Sequence, residues 1–254
     1  MKANFHRTNY FLILSLGAML IGFAPIFVKW SLLSSSAIAF YRMSLTIPFL
    51  FGLNYLLNGR LKFRVKNKRT IIYAAFASLA FTTDLTLWHY SMGITSVSNA
   101  TIIVNSAPIF VAILSFIFFK EKLSKGFVVS FLVTYLGIVG LIYYSNNYIN
   151  GKILGDILCM IAAFFYAVYL LVIARLGKEN SLNIIFYTTL FCCLFSIVPM
   201  IIEGGDIFPS SKFEWIILLL LAVLCQLGGQ YLITHAIGKI SASEGSIGLL
   251  MQPI

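Results

Sequence analysis

Eight stretches of roughly twenty apolar residues, followed by the start of a ninth, constrain this chain more than any other feature. Two of them, Val97–Phe119 and Gly126–Tyr144, contain no charged residue. An α-helix rises about 1.5 Å per residue, so about 20 residues cross the roughly 30 Å hydrocarbon core of a bilayer. A water-soluble domain has no use for eight such units. The chain reads as an all-α polytopic membrane protein. Its spans are predicted at about 10–29, 37–57, 70–91, 97–119, 126–144, 153–174, 182–202 and 213–236, with a ninth starting near 242.

Composition agrees: 60% of the residues are hydrophobic and only 10% are charged, against about a quarter charged in soluble domains. The net charge of +10 does not point to a nucleic acid, because the basic residues sit in short loops between apolar spans. Lys2, Arg7, the six bases of Asn58–Arg69, Lys120, Lys122, Lys125, Arg175, Lys178 and Lys239 fall on one side, and Lys29, Lys152 and Lys212 on the other. Under the positive-inside rule this places the N-terminus in the cytoplasm. The expected location is the cell membrane, which is the inner membrane in a Gram-negative cell. The first run is longer than a secretory signal core and reads as a retained helix. Cys159, Cys192, Cys193 and Cys225 all lie inside spans without metal-site spacing, so they read as small packing residues, and no metal or cofactor is expected.

A weak internal repeat sets the organisation. A shift of 145 positions brings Gly93 onto Gly238, Ser96 onto Ser241, Ser98 onto Ser243 and Pro108–Ile109 onto Pro253–Ile254. The matched segments hold equivalent places in two five-helix units, 1–150 and 151–254. Five spans is an odd number, so the units have opposite orientations, which is the inverted-repeat architecture of secondary transporters. By the repeat, the second unit stops within its fourth helix, the ninth of the chain. The expectation is therefore a truncated ten-helix protein with eight full spans and part of a ninth.

Several stretches resemble the drug/metabolite transporter superfamily, and its EamA-like members in particular. They are Trp88–Ala100, Asn105–Pro108, Phe119–Gly126, the Gly137–Gly140 helix end, Ala236–Ser243 and Gln252–Pro253. Arg42 also resembles an arginine common in the second helix of that family. The resemblance implies two inverted five-helix repeats and a transporter that moves small metabolites, with amino acids and their derivatives a common cargo. The second Glu-containing turn and the tenth helix of the pattern are absent here. For this polypeptide itself, transport and inactivity both stay open.

Arg42 and Asp84 are the costly residues, at about 2.5–3.5 kcal/mol each for a charge near the middle of a span. Both fall in the outer half of the bilayer, about 8 and 12 Å from their helix ends, so a pair is possible where the two helices face one another. Asp84, Trp88 and Ser91 share one helix face, suited to a cationic or amine-bearing solute, although an interfacial belt is the simpler reading of Trp88. His89 and His235 read as interfacial packing. Asn105 and Gln230 are candidate binding residues, while Pro108 and Pro253 are candidate kink or gating residues. Asp84 stands out as the span carboxylate placed for proton coupling.

The leading reading is a secondary transporter moving a small metabolite, such as an amino acid or related organic solute, by alternating access. Its partners would be the solute and the lipid bilayer. An intramembrane enzyme would need converging catalytic groups, and no His-Glu-x-x-His pair or Gly-x-Ser-x-Gly elbow is present. A non-transporting structural or sensory membrane subunit is the third alternative.

Overall fold

A computed structural model describes residues 2–65, 67–120 and 153–240, with isolated positions 129, 132, 133, 136, 137, 140, 143, 245, 248, 249, 251 and 252. Among the described residues there is no strand, and seven helices are long and apolar enough to cross a membrane. These are Thr8–Trp30, Ser35–Asn58, Lys68–Met92, Val97–Phe118, Ile153–Arg175, Ser181–Glu203 and Lys212–Ile237. They are seven of the eight expected spans, each within a few residues of its predicted bounds. The eighth, Gly126–Tyr144, and the ninth near 242 lie outside the described residues apart from the isolated positions.

Four helices are continuous: α3 (Ser35–Asn58), α4 (Lys68–Met92), α7 (Ile153–Arg175) and α8 (Ser181–Glu203). The other three spans depart from regular helices. The first divides into α1 (Lys2–Ile21) and α2 (Ala24–Trp30), the fourth into α5 (Val97–Val104) and α6 (Ala107–Phe119). Both breaks fall at a proline, whereas α3 and α8 continue through Pro48 and Pro199. Proline lacks an N–H, and its ring clashes with the carbonyl four residues back. Pro25 stands four residues after Ile21 and Pro108 four after Val104, the last residue of α1 and of α5, and each proline then sits in the first turn of the next segment. Pro108 was expected to kink its helix; it ends one and starts another. A turn is also described at Met251–Gln252, where the two amides bond to the Gly248 and Leu249 carbonyls at 3.3 and 3.1 Å. Pro253, the expected counterpart of Pro108, lies outside the described residues.

The last span contains α9 (Lys212–Leu220), a π-helical stretch Leu221–Gln230 and α10 (Tyr231–Ile237), where a regular helix was expected. Ten residues of π-helix are unusual, since π geometry is mostly confined to single turns and is frequent at functional sites. Here Gln226 and Gln230 are both directed into the protein, at 1% exposure each.

Packing crosses the middle of the sequence. α4 lies against α7 and α8, α3 against α8, and α1 against the π-stretch and α10. The inner faces carry small residues such as Ala74, Ala77, Ala80, Ala162, Ala163 and Ala167, which let backbones approach where no hydrophobic effect drives helices together. Outward, Leu12, Leu16, Ile72, Phe76, Phe116, Phe118, Ile157 and Ile201 are exposed, as lipid contact requires.

Each end of the bundle is tied. At one end Glu203 accepts from the Ser35 and Ser36 amides at 2.9 and 2.8 Å, and Glu214 from the Leu32 amide and Ser31 hydroxyl at 2.8 and 3.0 Å. At the other, the Gly59–Asn67 loop leaves α3 through Gly59 in the left-handed region (φ 60°). It is held by Asn54 Nδ2 on the Lys62 carbonyl (3.2 Å), Asn183 Nδ2 on the Arg64 carbonyl, and Phe63 stacked 3.7 Å over Phe186.

A close seam between the π-stretch and α1 allows a direct test. A Cβ on Gly229 would lie 2.6 Å from Ile21 Cγ1 and 2.9 Å from the Gly17 carbonyl oxygen, whereas one on Gly52 would meet nothing within 4 Å. Gly229→Val is expected to destabilise the protein by about 1–3 kcal/mol, the usual cost of overpacking. Gly52→Val should be neutral or mildly stabilising, since it replaces glycine inside a helix. Thermal unfolding in detergent reads both; equal effects would contradict the seam.

Candidate functional site

Arg42, near the Ser35 end of α3, is 1% exposed, and Asp84, near the Met92 end of α4, is 5% exposed. The two line one small cavity with Trp88, Tyr166, Gln230 and Gln252. Ile21 and Val104 also line it, so the site sits where the two helix breaks meet the Met251–Gln252 turn. This is where interrupted helices are useful: half-helix ends carry unsatisfied N–H and C=O groups and opposite partial charges. The space inside is about 30 Å³, room for about two water molecules.

The cavity walls are built from aromatic rings and amides. The Arg42 guanidinium lies 5.9 Å from the Phe81 ring centre, and Phe81 stacks on Tyr169 at 4.5 Å. Tyr166 and Tyr169 are parallel at 6.0 Å. Arg42 Nε donates to Gln226 Oε1 at 3.2 Å, and Gln226 Nε2 donates in turn to Thr189 Oγ1 at 3.4 Å. Gln230 Nε2 donates to the Tyr169 hydroxyl at 3.1 Å. These bonds fix the frame and leave four inward polar atoms buried without a hydrogen-bond partner: Arg42 Nη1, Trp88 Nε1, Tyr166 Oη and Gln230 Oε1. Buried polar atoms are nearly always paired, so four such atoms on the residues lining one cavity single it out as the candidate site.

The sequence-predicted residues divide. Arg42, Asp84, Trp88 and Gln230 come together, although they lie on three different spans. Trp88 is 4% exposed, so the interfacial-belt reading is corrected: α4 packs against α7 and the indole is shut away from the bilayer surface. Asn105 does not line the cavity; it caps α5, its Nδ2 donating to the Thr101 carbonyl at 2.7 Å. Pro108 acts one turn away by ending α5. His89 is buried rather than interfacial, with Nδ1 3.1 Å from the Ser35 carbonyl. His235 contacts the Ser181 hydroxyl at 3.2 Å.

Sequence reasoning missed Tyr166 and Tyr169, whose only signal was aromatic spacing of three on an apolar helix, and Phe81, three residues before Asp84 on α4. It also gave no weight to Asp156 as a second intramembrane carboxylate. That residue is 1% exposed, accepts from Thr95 Oγ1 at 2.7 Å and Asn99 Nδ2 at 3.5 Å, and has an unpartnered Oδ2. The cysteines are unbridged, and no His/Cys/Asp/Glu cluster suited to a metal occurs among the described residues.

Comparison with known proteins gives a consistent picture. A solved structure titled only "Crystal structure of protein" superposes with a TM-score of 0.75 over 96% of this chain and 85% of that one, at 12% identity, a likeness of fold alone. A protein of Acidianus ambivalens described as "Uncharacterized transporter in sor 3'region" is 26% identical over 137 residues, 54% of this chain. That match spans about half the length of the relative, 53%. The profile of the EamA-like transporter family matches residues 8–143 and again 153–254. Two matches that together take in nearly every residue make this multi-pass membrane protein a member of the EamA-like transporter family.

Proposed function

We propose that the cavity between Arg42 and Asp84 is the solute site of a secondary transporter in the cell membrane, and that its cargo is a small amphoteric metabolite of the amino-acid kind. One observation carries this reading: residues of opposite charge type line a single buried cavity whose wall carries four unpaired polar atoms. A carboxylate set against Arg42 Nη1 and Trp88 Nε1 would receive charge-assisted hydrogen bonds, the strong class. An ammonium group would face Asp84, with Tyr166 Oη and Gln230 Oε1 left to recognise further polar atoms. A solute of one sign would satisfy one charge and leave the other buried and unpaired, which is costly.

The cavity is too small for such a solute, so loading requires the helices around it to move. The breaks at Gly22–Phe23 and Asn105–Ser106 and the turn at Met251–Gln252 border it and can absorb that motion. Alternating access follows if the end held by Glu203 and Glu214 and the end held by Phe63 and Asn183 open in turn. Two five-helix units, 1–150 and 151–254 with the second inverted, supply the symmetry for it. Adding 145 to the bounds of Thr8–Trp30 gives 153–175, the bounds of α7; Ser35–Asn58 and Lys68–Met92 likewise fall within one residue of α8 and Lys212–Ile237. The packing of α4 on α7 matches that of α10 and the π-stretch on α1 under the same shift. The excess of bases on the Gly59–Asn67 side puts that side and the N-terminus in the cytoplasm. Asp84 is the residue placed to carry a coupling proton.

Uptake into proteoliposomes tests the cargo. Labelled amino acids are expected to enter and to be displaced by other amino acids, not by simple amines or simple carboxylates. Arg42→Gln and Asp84→Asn should each lower uptake by about 30-fold or more, corresponding to about 2 kcal/mol for leaving one charge of a buried pair unmatched. Unimpaired amino-acid uptake by both variants would remove this cavity from the pathway.

The two tyrosines separate frame from ligand. Tyr169→Phe deletes the partner of Gln230 Nε2 and is expected to cost about 1 kcal/mol of stability. Tyr166→Phe deletes an unpaired hydroxyl, so stability should hold while apparent solute affinity falls by about three- to tenfold. Equal stability losses would assign Tyr166 to the fold.

A further inference from the structure

A second polar concavity lies far from the charge-lined cavity, at the membrane surface. The Gly59–Asn67 loop and the ends of α3 and α8 enclose a cleft of about 760 Å³, lined by Arg60, Lys62, Arg64, Asn58, Asn180 and Asn183 among others. Among the described residues no acidic side chain lines it. The acid nearest in sequence, Glu179, accepts instead from Thr70 Oγ1 at 3.4 Å. Positive loops are ordinary in membrane proteins, but this one is not a loose charged tether. Its backbone is fixed by Asn54, Asn183 and Phe186, and Tyr187 Oη donates to the Phe63 carbonyl at 3.2 Å. The main-chain bonds of Lys62, Phe63 and Arg64 leave the three basic side chains exposed around the cleft.

The surroundings say what kind of anion fits. Tyr55 and Leu61 line the same cleft and are 57% and 59% exposed, and Leu56 and Leu57 beside them are 81% and 61% exposed. Basic and amide groups therefore adjoin an outward apolar face at the end of a membrane-spanning helix. A free phosphate would use only the first feature; a lipid uses both, with its phosphodiester among the bases and its acyl chains along the leucines. We propose that this cleft binds the phosphate-bearing headgroup of an anionic phospholipid from the adjacent leaflet. Because Asn58, Arg60, Lys62 and Arg64 precede residue 150 while Asn180 and Asn183 follow it, a bound headgroup bridges α3 and α8 and holds this end of the bundle together. The inference does not depend on the identity of the transported solute.

Native mass spectrometry of the full chain released from nanodiscs, with phosphatidylglycerol and phosphatidylcholine in equal amounts, tests it. The expected result is a retained phosphatidylglycerol molecule, preferred by about fivefold or more given the attraction of each base to an anionic surface. R60Q/K62Q/R64Q, which keeps Lys66 and, at the start of α4, Lys68 and Arg69, should reduce the preference to near parity. K68Q/R69Q/K178Q removes equal charge from outside the cleft lining and should retain it. Equal loss in both triple variants would reduce the effect to general surface charge and overturn the site. Displacement of the lipid by millimolar inorganic phosphate, with phosphate bound in phosphatidylcholine alone, would overturn the lipid assignment in favour of a free anion. R64Q alone, expected to show an intermediate preference, guards against misfolding of the triple variant.

Discussion

Inside a bilayer every backbone N–H and C=O must find a partner within the protein, because the hydrocarbon offers none. An unbroken helix meets that requirement automatically. This chain departs from it at Gly22–Phe23, at Asn105–Ser106, at Met251–Gln252 and through ten residues of π-helix. The departures are concentrated rather than scattered: residues at or beside all four border the cavity that holds Arg42 and Asp84. Irregular backbone at membrane depth is tolerated where it is buried in protein or faces a polar cavity, and both conditions hold here. The buried charges and the interrupted helices thus support one another. The charges supply polarity at the breaks, and the breaks leave room around the charges.

Much of this was legible in the residues, and the reasons differ from feature to feature. The helices are found because bilayer thickness fixes their length, so that Ser181–Glu203 could be read as 182–202 from hydropathy alone. Arg42 and Asp84 are found because ions in lipid are expensive and therefore rare. Trp88 was misplaced because an indole suits both a bilayer interface and a buried wall, and the choice depends on which helix covers it. That choice is hidden in spans apolar all round, where periodicity does not tell protein-facing from lipid-facing sides. Tyr166 and Tyr169 were obscured for the same reason. The π-helix has no sequence rule behind it, although the adjacent Gly228 and Gly229 mark the place where the backbone of that span approaches α1. Pro25 carries the same steric signal as Pro108, and its effect is to end α1 at the residue the ring would strike.

The ties at the two ends differ in chemistry. One uses the Glu203 carboxylate on the Ser35 and Ser36 amides at the N-terminus of α3, a charge-assisted arrangement, and the Glu214 carboxylate on Ser31 and Leu32 in the link from α2. The other uses stacked rings and amide-to-carbonyl bonds, Phe63 on Phe186 and Asn183 on Arg64. α3 takes part in both and also carries Arg42, so motion at either end reaches the charge-lined cavity through a single continuous helix. A lipid headgroup in the basic cleft would act on this same helix from outside.

The central claim is that the cavity at the broken helices is the route of the solute, and thiol accessibility tests it most directly. With the four native cysteines replaced, Val104→Cys would place a reporter on the cavity wall at the end of α5. In sealed vesicles the account predicts slow labelling by a water-soluble thiol reagent from either face, suppressed by the transported solute. Labelling from neither face while transport continues would contradict it.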